Sequence, residues 1–304
     1  MQNVMEIIHL PKTHLGEGSA VSLVALGSVL LVLSTQAVAL RFWARKRTAA
    51  QLLLDDWLSL PAWMTFVAAT SLVFFCVGVH GLGYPKMVLI PEVPSRMTKA
   101  VAQSTIAINC LSILCFGITK ASALLFYLRL FCVDGKHPTL RKVILVALPV
   151  VTVWTLVFEL MTNFSAPWDG TKLKYCTWSY PSIQGVAVSN VLLDLFVVAL
   201  PIYPITKLAT SQKSKIAIAG VFLIALVGVA ASIARLAIVE HIIKIGRAVV
   251  NEDMEYYVSK AAFYFVLETG VTITVLNLPP IWTALGRDAR LLSNFANLED
   301  DESN

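Results

Sequence analysis

The sequence predicts an all-α fold: a polytopic membrane protein built as a bundle of seven transmembrane helices, with an outer N-terminus and a cytoplasmic C-terminus. Seven stretches are apolar over about 20 residues, the length of helix that crosses a bilayer. Of the 304 residues, 57% are hydrophobic and only 14% are charged, whereas soluble domains carry about 25% charged residues. Lysine and arginine are also more frequent in the predicted inner segments (13) than in the outer ones (9), as the positive-inside rule requires.

The seven spans make up one transmembrane domain at residues 19–285. Residues 1–18 are predicted to be a short outer or lumenal tail with no cleavable signal peptide, because no apolar core follows a positive segment there. Residues 286–304 are predicted to be a short acidic cytoplasmic tail without ordered structure. The spans are predicted at about 19–41, 57–79, 101–131, 143–163, 183–205, 216–240 and 261–282.

The first span fixes the predicted orientation more strongly than the later ones. It ends at Arg41, and Arg45, Lys46 and Arg47 follow directly. Four positive charges after a first span hold that end in the cytoplasm. The second span opens with Asp56, which we expect either to cap the helix or to pair with Arg41 or Arg45.

The seventh span, Ala261 to Trp282, contains one acid, Glu268, about a third of the way along. A carboxylate in lipid is costly, so it indicates a partner or a functional role. Lys260 lies only at the edge of this span, whereas a retinal protein needs a Schiff-base lysine deep in the bundle. We therefore expect no retinal. At the inner end of the span, Asn277-Leu278-Pro279-Pro280 predicts a kink and the helix terminus.

Composition excludes several other classes of function. The positive charge is explained by topology, so no nucleic-acid partner is expected. The five cysteines form no CxxC pair and no metal-ligand spacing, and no phosphate or redox motif is present, so neither a metal nor a cofactor is expected. Cys176 lies in an outer loop and could pair with Cys76 or Cys110, or remain free. Asn163 begins a glycosylation acceptor triplet close to the membrane surface.

Buried charges within the spans give the main contact predictions. Counting about 1.5 Å per residue puts Arg235 and Glu268 at similar depth on consecutive helices, so we expect an ion pair between them. Lys120 and Asp194 lie near the middle of their spans and form a second predicted pair. Glu159, at a depth similar to that of Glu268, is expected to be a second acid facing the same cavity.

Two interpretations of these charges remain open. In the functional one, a polar pocket opens to the outer side, and Glu268 and Glu159 are the candidate catalytic acids. In the structural one, the ion pairs only lock the bundle. Asn109 shares a helical face with Thr105 and Ser112 that is expected to point into the bundle. His80, at the outer rim, is either a loop residue or a ligand-binding residue. The candidate ligand-binding residues are Arg235, His80, Asn109 and Tyr264.

A series of residues, taken in order, forms a pattern that covers most of the chain. It consists of Arg41 and Arg45 before Asp55-Asp56-Trp57, Gly78 with His80 to Gly83, Thr119 to Ser122, Phe126 to Phe131, Asp194 with Leu200-Pro201, Lys215, Arg235, Glu268, and Asn277-Leu278-Pro279. This pattern resembles the fungal rhodopsin-domain integral membrane proteins, the family of the satratoxin-cluster membrane protein. No cysteine-rich extracellular module precedes the first span, unlike in the receptor-type relatives.

The resemblance implies a fungal seven-helix protein associated with secondary-metabolite biosynthesis, handling a small amphipathic molecule in the plasma membrane or the endoplasmic reticulum. "Rhodopsin" in the family name then refers to helix layout. Whether the protein is an enzyme stays open at this point. Acid–base chemistry on a pathway intermediate is the first hypothesis; the alternatives are a receptor-like sensor of an extracellular ligand and a metabolite transporter.

Overall fold

The protein is an all-helical bundle of seven long helices. The structure, a computed structural model, describes residues 16–48, 51–84, 95–132, 138–165, 179–202, 212–248 and 254–302. Each helix contains a stretch long and apolar enough to cross a membrane, which makes this an integral multi-pass protein. The helices are α1 Ala20–Arg47, α2 Leu54–Gly78, α3 Ser95–Phe131, α4 Pro138–Ser165, α5 Ser179–Ala199, α6 Gln212–Ala248 and α7 Met254–Glu302.

The helices form a closed ring in chain order, and α3 lies nearest to the middle of the bundle. Each helix from α1 to α7 packs on the next, and α7 returns to pack on α1. Helix α3 also contacts α5 and α7, and α2 contacts α7. In the membrane-crossing stretches, 61% of α3 is buried but only 17% of α4. Side chains of α3 are therefore the ones best placed to meet groups from several helices.

Helix α4 shows most clearly which surface faces lipid. Val146, Val153 and Leu156 are each more than half exposed on it. A continuous apolar surface of this kind would cause aggregation in water, but it is the expected outer face of a helix in a bilayer. The fold thus needs the membrane on its periphery and can reserve polar groups for its interior.

Two ends of the bundle can be defined from the chain. The upper end is where α1 and α7 begin and α2 ends; the lower end is where α1 ends and α2 begins. At the upper end Ala20 N donates to Gly83 O (3.1 Å), and Gly83 N donates to Ser259 Oγ (2.8 Å). These bonds join α1, the segment after α2, and α7. Which end faces the cytoplasm stays a prediction from the charge count.

The last helix differs from the sequence prediction in two ways. It continues through Pro279 and Pro280 to Glu302, so the predicted terminus at the prolines and the predicted disorder of the tail are both wrong. Pro280 has no N–H for the carbonyl of Leu276, but that carbonyl accepts a hydrogen bond from Arg41 Nη1 (3.2 Å). The chain after Gly286 also contains no glycine or proline to end a helix.

Candidate functional site: a buried polar cluster at the centre of the bundle

Six polar side chains from four helices meet in the middle of the bundle. We call this group the central cluster. All are buried except Asp194, whose side chain is 17% exposed. The members are Lys120 from α3, Asn190 and Asp194 from α5, Ser232 and Arg235 from α6, and Glu268 from α7.

Both ion pairs expected from helix depth are present in this cluster. Arg235 Nε lies 2.9 Å from Glu268 Oε2, and Lys120 Nζ lies 2.7 Å from Asp194 Oδ1. The cluster therefore holds two cations and two carboxylates, which balance in formal charge. Balance of this kind is what allows charged groups to stay within a membrane span.

Asn190 connects the two pairs. Its Oδ1 accepts from Lys120 Nζ (2.7 Å), and its Nδ2 lies 2.9 Å from Asp194 Oδ2 and 2.7 Å from Glu268 Oε1. No role was predicted for Asn190 from the sequence. Its position four residues before Asp194 was the available signal, since residues i and i+4 share a helical face.

The aromatic ring of Phe116 lies beside both cations. The guanidinium carbon of Arg235 is 4.7 Å from the ring centroid and Lys120 Nζ is 5.2 Å from it. Phe265 from α7 meets the same ring edge to face at 5.8 Å. Electron-rich ring faces attract cations, more strongly where water is excluded. Phe116 thus supplies part of the interaction that water would otherwise provide.

One donor in the cluster is unused. Arg235 Nη2 is buried and has no hydrogen-bond partner among the residues that the structure describes. Its Nε is occupied by Glu268. Buried donors are nearly always satisfied in native proteins, so an acceptor is expected at this atom.

Glu268 is held as an acceptor on both oxygens. Oε1 receives Asn190 Nδ2 and Oε2 receives Arg235 Nε. An ionised carboxylate only accepts hydrogen bonds, whereas a protonated one must also donate. The arrangement therefore suits the carboxylate form, and it gives Glu268 the geometry of a binding or orienting group.

Glu159 does not join the central cluster, contrary to the sequence prediction of a shared cavity. Its Oε1 and its main-chain carbonyl accept from Asn163 Nδ2, and the Cys110 thiol of α3 is its neighbour across the interface. Its Oε2 is buried with no hydrogen-bond partner in the described part of the chain. Depth arithmetic failed here because α4 packs on α3 and α5, so equal depth did not bring Glu159 near Arg235.

Two of the predicted ligand-binding residues lie away from the cluster. Asn109 is exposed on α3, although its face was predicted to point into the bundle; Ser112, which shares that face, is buried. Tyr264 is half-buried on α7 beside Phe263, and its hydroxyl is near Glu17. The α3 face is therefore turned only partly into the bundle, with Asn109 on its exposed side, because packing and not spacing sets the rotation of a helix.

His80 has an architectural position at the upper end. It is exposed and has a φ of 58°, the left-handed region. Its N–H donates to Val77 O (3.0 Å), and Gly81 N donates to Cys76 O (2.8 Å). This is the Schellman pattern that ends a helix, with histidine where glycine is usual. His80 therefore ends α2, and its ring rests against Tyr84 at 4.5 Å.

A second charged group, the lower cluster, lies at the lower end and closes the bundle there. Arg41 is fully buried; its Nε donates to Asp56 (2.8 Å) and its Nη2 to Asp55 (2.9 Å). Arg45 and Arg129 also pair with Asp56, both at 3.0 Å. The predicted contacts of Asp56 with Arg41 and Arg45 are thus present, and Asp56 also accepts from Leu53 N as a cap.

The lower cluster ties four helices together. Arg41 Nη1 reaches Asn277 Oδ1 on α7 (3.3 Å), and Arg129 brings in α3. The two clusters lie nine positions apart on both shared helices, Lys120 to Arg129 and Glu268 to Asn277, which is about 14 Å at the helical rise. Buried Leu124 fills part of the layer between them.

The remaining predicted features fall partly outside the described residues. Cys76, Cys110, Cys115 and Cys132 are free thiols, while Cys176 lies outside the residues that the structure describes. No metal-binding group of three His, Cys, Asp or Glu forms within the described ranges. A shallow apolar hollow lies on α1 at Leu31, Val32, Thr35 and Gln36. Glycosylation of Asn163 stays a prediction.

Comparison with known proteins gives two matches. A family model described as the fungal rhodopsin domain matches residues 40–287. The polyenoic acids biosynthesis gene cluster protein Ba17b of Metarhizium anisopliae is 25% identical over 200 residues, which cover 64% of this chain and 54% of that protein. The chain thus spans about half the length of the curated relative it matches. No solved structure matches it.

Proposed function

The chain belongs to the fungal rhodopsin domain family, and from that premise we propose that it serves a secondary-metabolite pathway by handling a small amphipathic molecule at the central cluster. The relative from Metarhizium anisopliae supports the pathway part of this proposal, because its name assigns it to a biosynthesis gene cluster. Either the plasma membrane or the endoplasmic reticulum would suit such a role. Imaging of a fluorescently tagged chain in the host distinguishes them.

The observation that carries the proposal is the unused donor of Arg235 within a buried, charge-balanced group. Ionisable residues inside membrane spans usually mark substrate or ion sites. A purely structural lock has no reason to leave a guanidinium nitrogen without an acceptor. Within the proposal, Arg235 orients the molecule and Glu268 holds Arg235 in position.

The two candidate acids take different parts in this proposal. Glu268 is the weaker candidate for a proton donor, because both of its oxygens already accept hydrogen bonds. Glu159 is the stronger one, since its Oε2 has no partner among the described residues and the α3–α4 interface borders the lipid. A general acid must reach the reacting group directly or through one water, so acid catalysis by Glu159 would need the molecule to contact the α3–α4 interface as well as the central cluster.

A receptor-like sensor is the second candidate function. The observation that favours it is Arg129, which joins α3 to α2 through Asp55 and Asp56 and remains 24% exposed. An ion pair at a helix end that is partly open to solvent can be exchanged for contacts with a partner. A transporter is less well supported, because seven spans do not divide into the equal repeats that many transporters use.

The test of the proposed function is metabolite profiling of the producing host. We compare a deletion with Glu268→Gln and with Glu159→Gln, which is the same chemical change outside the central cluster, at equal membrane levels. The proposal predicts a new intermediate in the deletion and in Glu268→Gln. If the same intermediate also accumulates in Glu159→Gln, the result would support Glu159 as a proton donor in the reaction.

Other outcomes separate the alternatives. Finished product retained inside cells points to transport, and loss of pathway transcripts points to sensing. A deletion with an unchanged metabolite profile overturns the proposal. If the deletion changes the metabolite profile but Glu268→Gln does not, the central cluster has no part in the function.

A further inference from the structure

We propose that the central cluster binds an uncharged oxygen acceptor, the carbonyl of an ester, lactone or ketone on a largely apolar molecule, through Nη2 of Arg235, and that it discriminates against carboxylates. This inference rests on the proposed function, because it names the substrate class of the same site. It is carried by three properties of the cluster: a free donor, a completed charge balance and an aromatic wall.

The free donor defines what kind of atom can bind. Arg235 Nη2 is buried without a partner in the described part of the chain, while Nε is held by Glu268 at 2.9 Å. A guanidinium has only donors and no acceptor. The bound atom must therefore be an acceptor, so ammonium groups and other pure donors are excluded as the group that meets it.

The charge balance defines the charge of that atom. Arg235 is already neutralised by Glu268, and Lys120 by Asp194. A carboxylate or phosphate added here would leave the cluster with net negative charge away from water, where unbalanced charge is most costly. A carbonyl oxygen accepts the same hydrogen bond and leaves the balance unchanged.

The surroundings define the rest of the molecule. The rings of Phe116 and Phe265 are both buried and lie edge to face, with the guanidinium over Phe116 at 4.7 Å. The side chain of Arg235 keeps 10% of its surface accessible, against 3% for Glu268. That accessible surface belongs to other atoms of the side chain, because Nη2 itself is buried. The proposal therefore requires neighbouring side chains to move when an apolar molecule enters beside Arg235.

The experiment compares two probes with the same polyene chain and different head groups: cis-parinaric acid, which ionises to a carboxylate, and its uncharged methyl ester. The full chain is placed in phosphatidylcholine nanodiscs at pH 8, and energy transfer from tryptophan to the polyene is followed during titration. Empty nanodiscs give the partition background. We expect saturable binding of the ester, with the ionised acid at least tenfold weaker.

Variants then assign the binding to one atom. Arg235→Lys keeps a positive charge opposite Glu268 but removes Nη2, and we expect ester affinity to fall at least tenfold. Arg45→Lys makes the same change in the lower cluster and is expected to leave ester affinity unchanged. Should Arg235→Lys fail to fold, the double variant Arg235→Met with Glu268→Met removes the donor without leaving a single unpaired charge.

The inference is overturned if the acid binds as tightly as the ester, if Arg235→Lys keeps wild-type ester affinity, or if folded wild-type protein binds neither probe saturably. The first result would reject the discrimination against carboxylates, and the other two would reject Nη2 of Arg235 as the binding group. These results are separate from the proposed function: a persistent metabolite phenotype in Glu268→Gln would retain the pathway role and reject only this substrate class. If the ester binds but the deletion leaves the metabolite profile unchanged, the substrate class is retained and the pathway role is rejected.

Discussion

The lower and central clusters are built from the same chemistry on two shared helices, yet they differ in how completely they are satisfied. In the lower cluster three arginines surround two aspartates, and every carboxylate oxygen accepts at least one hydrogen bond. In the central cluster two cations face two carboxylates, and one guanidinium nitrogen is unused. This difference in hydrogen bonding is the reason that our proposal places the binding of a molecule at the central cluster and not at the lower one.

The largest effect is expected from Arg41→Ala. The change leaves Asp55 and Asp56 buried with weaker neutralisation and leaves the Leu276 carbonyl without its donor. Removing one partner of a buried ion pair costs about 3–5 kcal/mol. We expect little monodisperse protein by size-exclusion chromatography after extraction. Arg45→Ala is the matched control, since that side chain is 12% exposed and shares both aspartates; an equal loss there would contradict the ranking.

Removing both partners of the Arg235–Glu268 pair is expected to cost less stability than removing one of them, unlike at the lower cluster. Glu268→Ala alone is expected to lower stability by about 3–5 kcal/mol, because Arg235 is left buried and unpaired. The double variant Arg235→Met with Glu268→Met should recover at least half of that loss, measured as the thermal midpoint in detergent. No such recovery is expected for Arg41→Met with Asp56→Met, because Asp55 and two arginines remain. Equal recovery at both sites would remove the distinction between the clusters.

A smaller effect is expected from Arg129→Gln. The side chain bonds both aspartates but is 24% exposed, so solvent replaces part of what is lost, and we expect about 1–2 kcal/mol. The thermal midpoint measures it, with Arg141→Gln on the exposed start of α4 as the control. A loss of stability as large as that of Arg41→Ala would mean that Arg129 is a fixed part of the lower cluster and cannot be exchanged for contacts with a partner.

The smallest effect is expected from Phe116→Leu, about 1 kcal/mol from the cation–ring contacts and the ring pair. The change tests whether the aromatic wall acts through the cations. In the Arg235→Met, Glu268→Met background the same substitution should cost less, because one of the two cations is gone. An identical cost in both backgrounds would show that Phe116 only fills space.

Sequence reasoning reached the spans and the ion pairs because both depend on quantities that a sequence contains. Apolar length gives the spans, and helical rise gives depth, which brought Arg235 to Glu268 and Lys120 to Asp194. It did not reach the contacts of Arg129 with Asp55 and Asp56. Those depend on where the lower ends of α2 and α3 meet, which is set by packing between helices and not by position along one of them.

The errors share one physical cause. The helical face predicted for Asn109 and the depth predicted for Glu159 did not give the directions of these side chains, because the rotation of a helix about its axis follows from its neighbours. The role of Asn190 was missed for a related reason. This residue connects the two ion pairs only because α3, α6 and α7 all pack against its side chain. The prolines of α7 were read as a terminus because the compensating donor, Arg41, lies more than 230 positions away in the chain.

Nine residues separate Lys120 from Arg129, and nine residues are two and a half turns, so these side chains leave α3 on opposite sides. Lys120 is drawn toward α5 and Arg129 toward α2. The two contacts lie on opposite sides of α3 and at different heights, so together they restrict the tilt of the helix. If the contact of Lys120 with Asp194 is weakened, Arg129 still holds the lower end of α3, so the freedom that α3 gains lies toward its upper end. Each of the two ion pairs therefore limits the position of α3 at one height only.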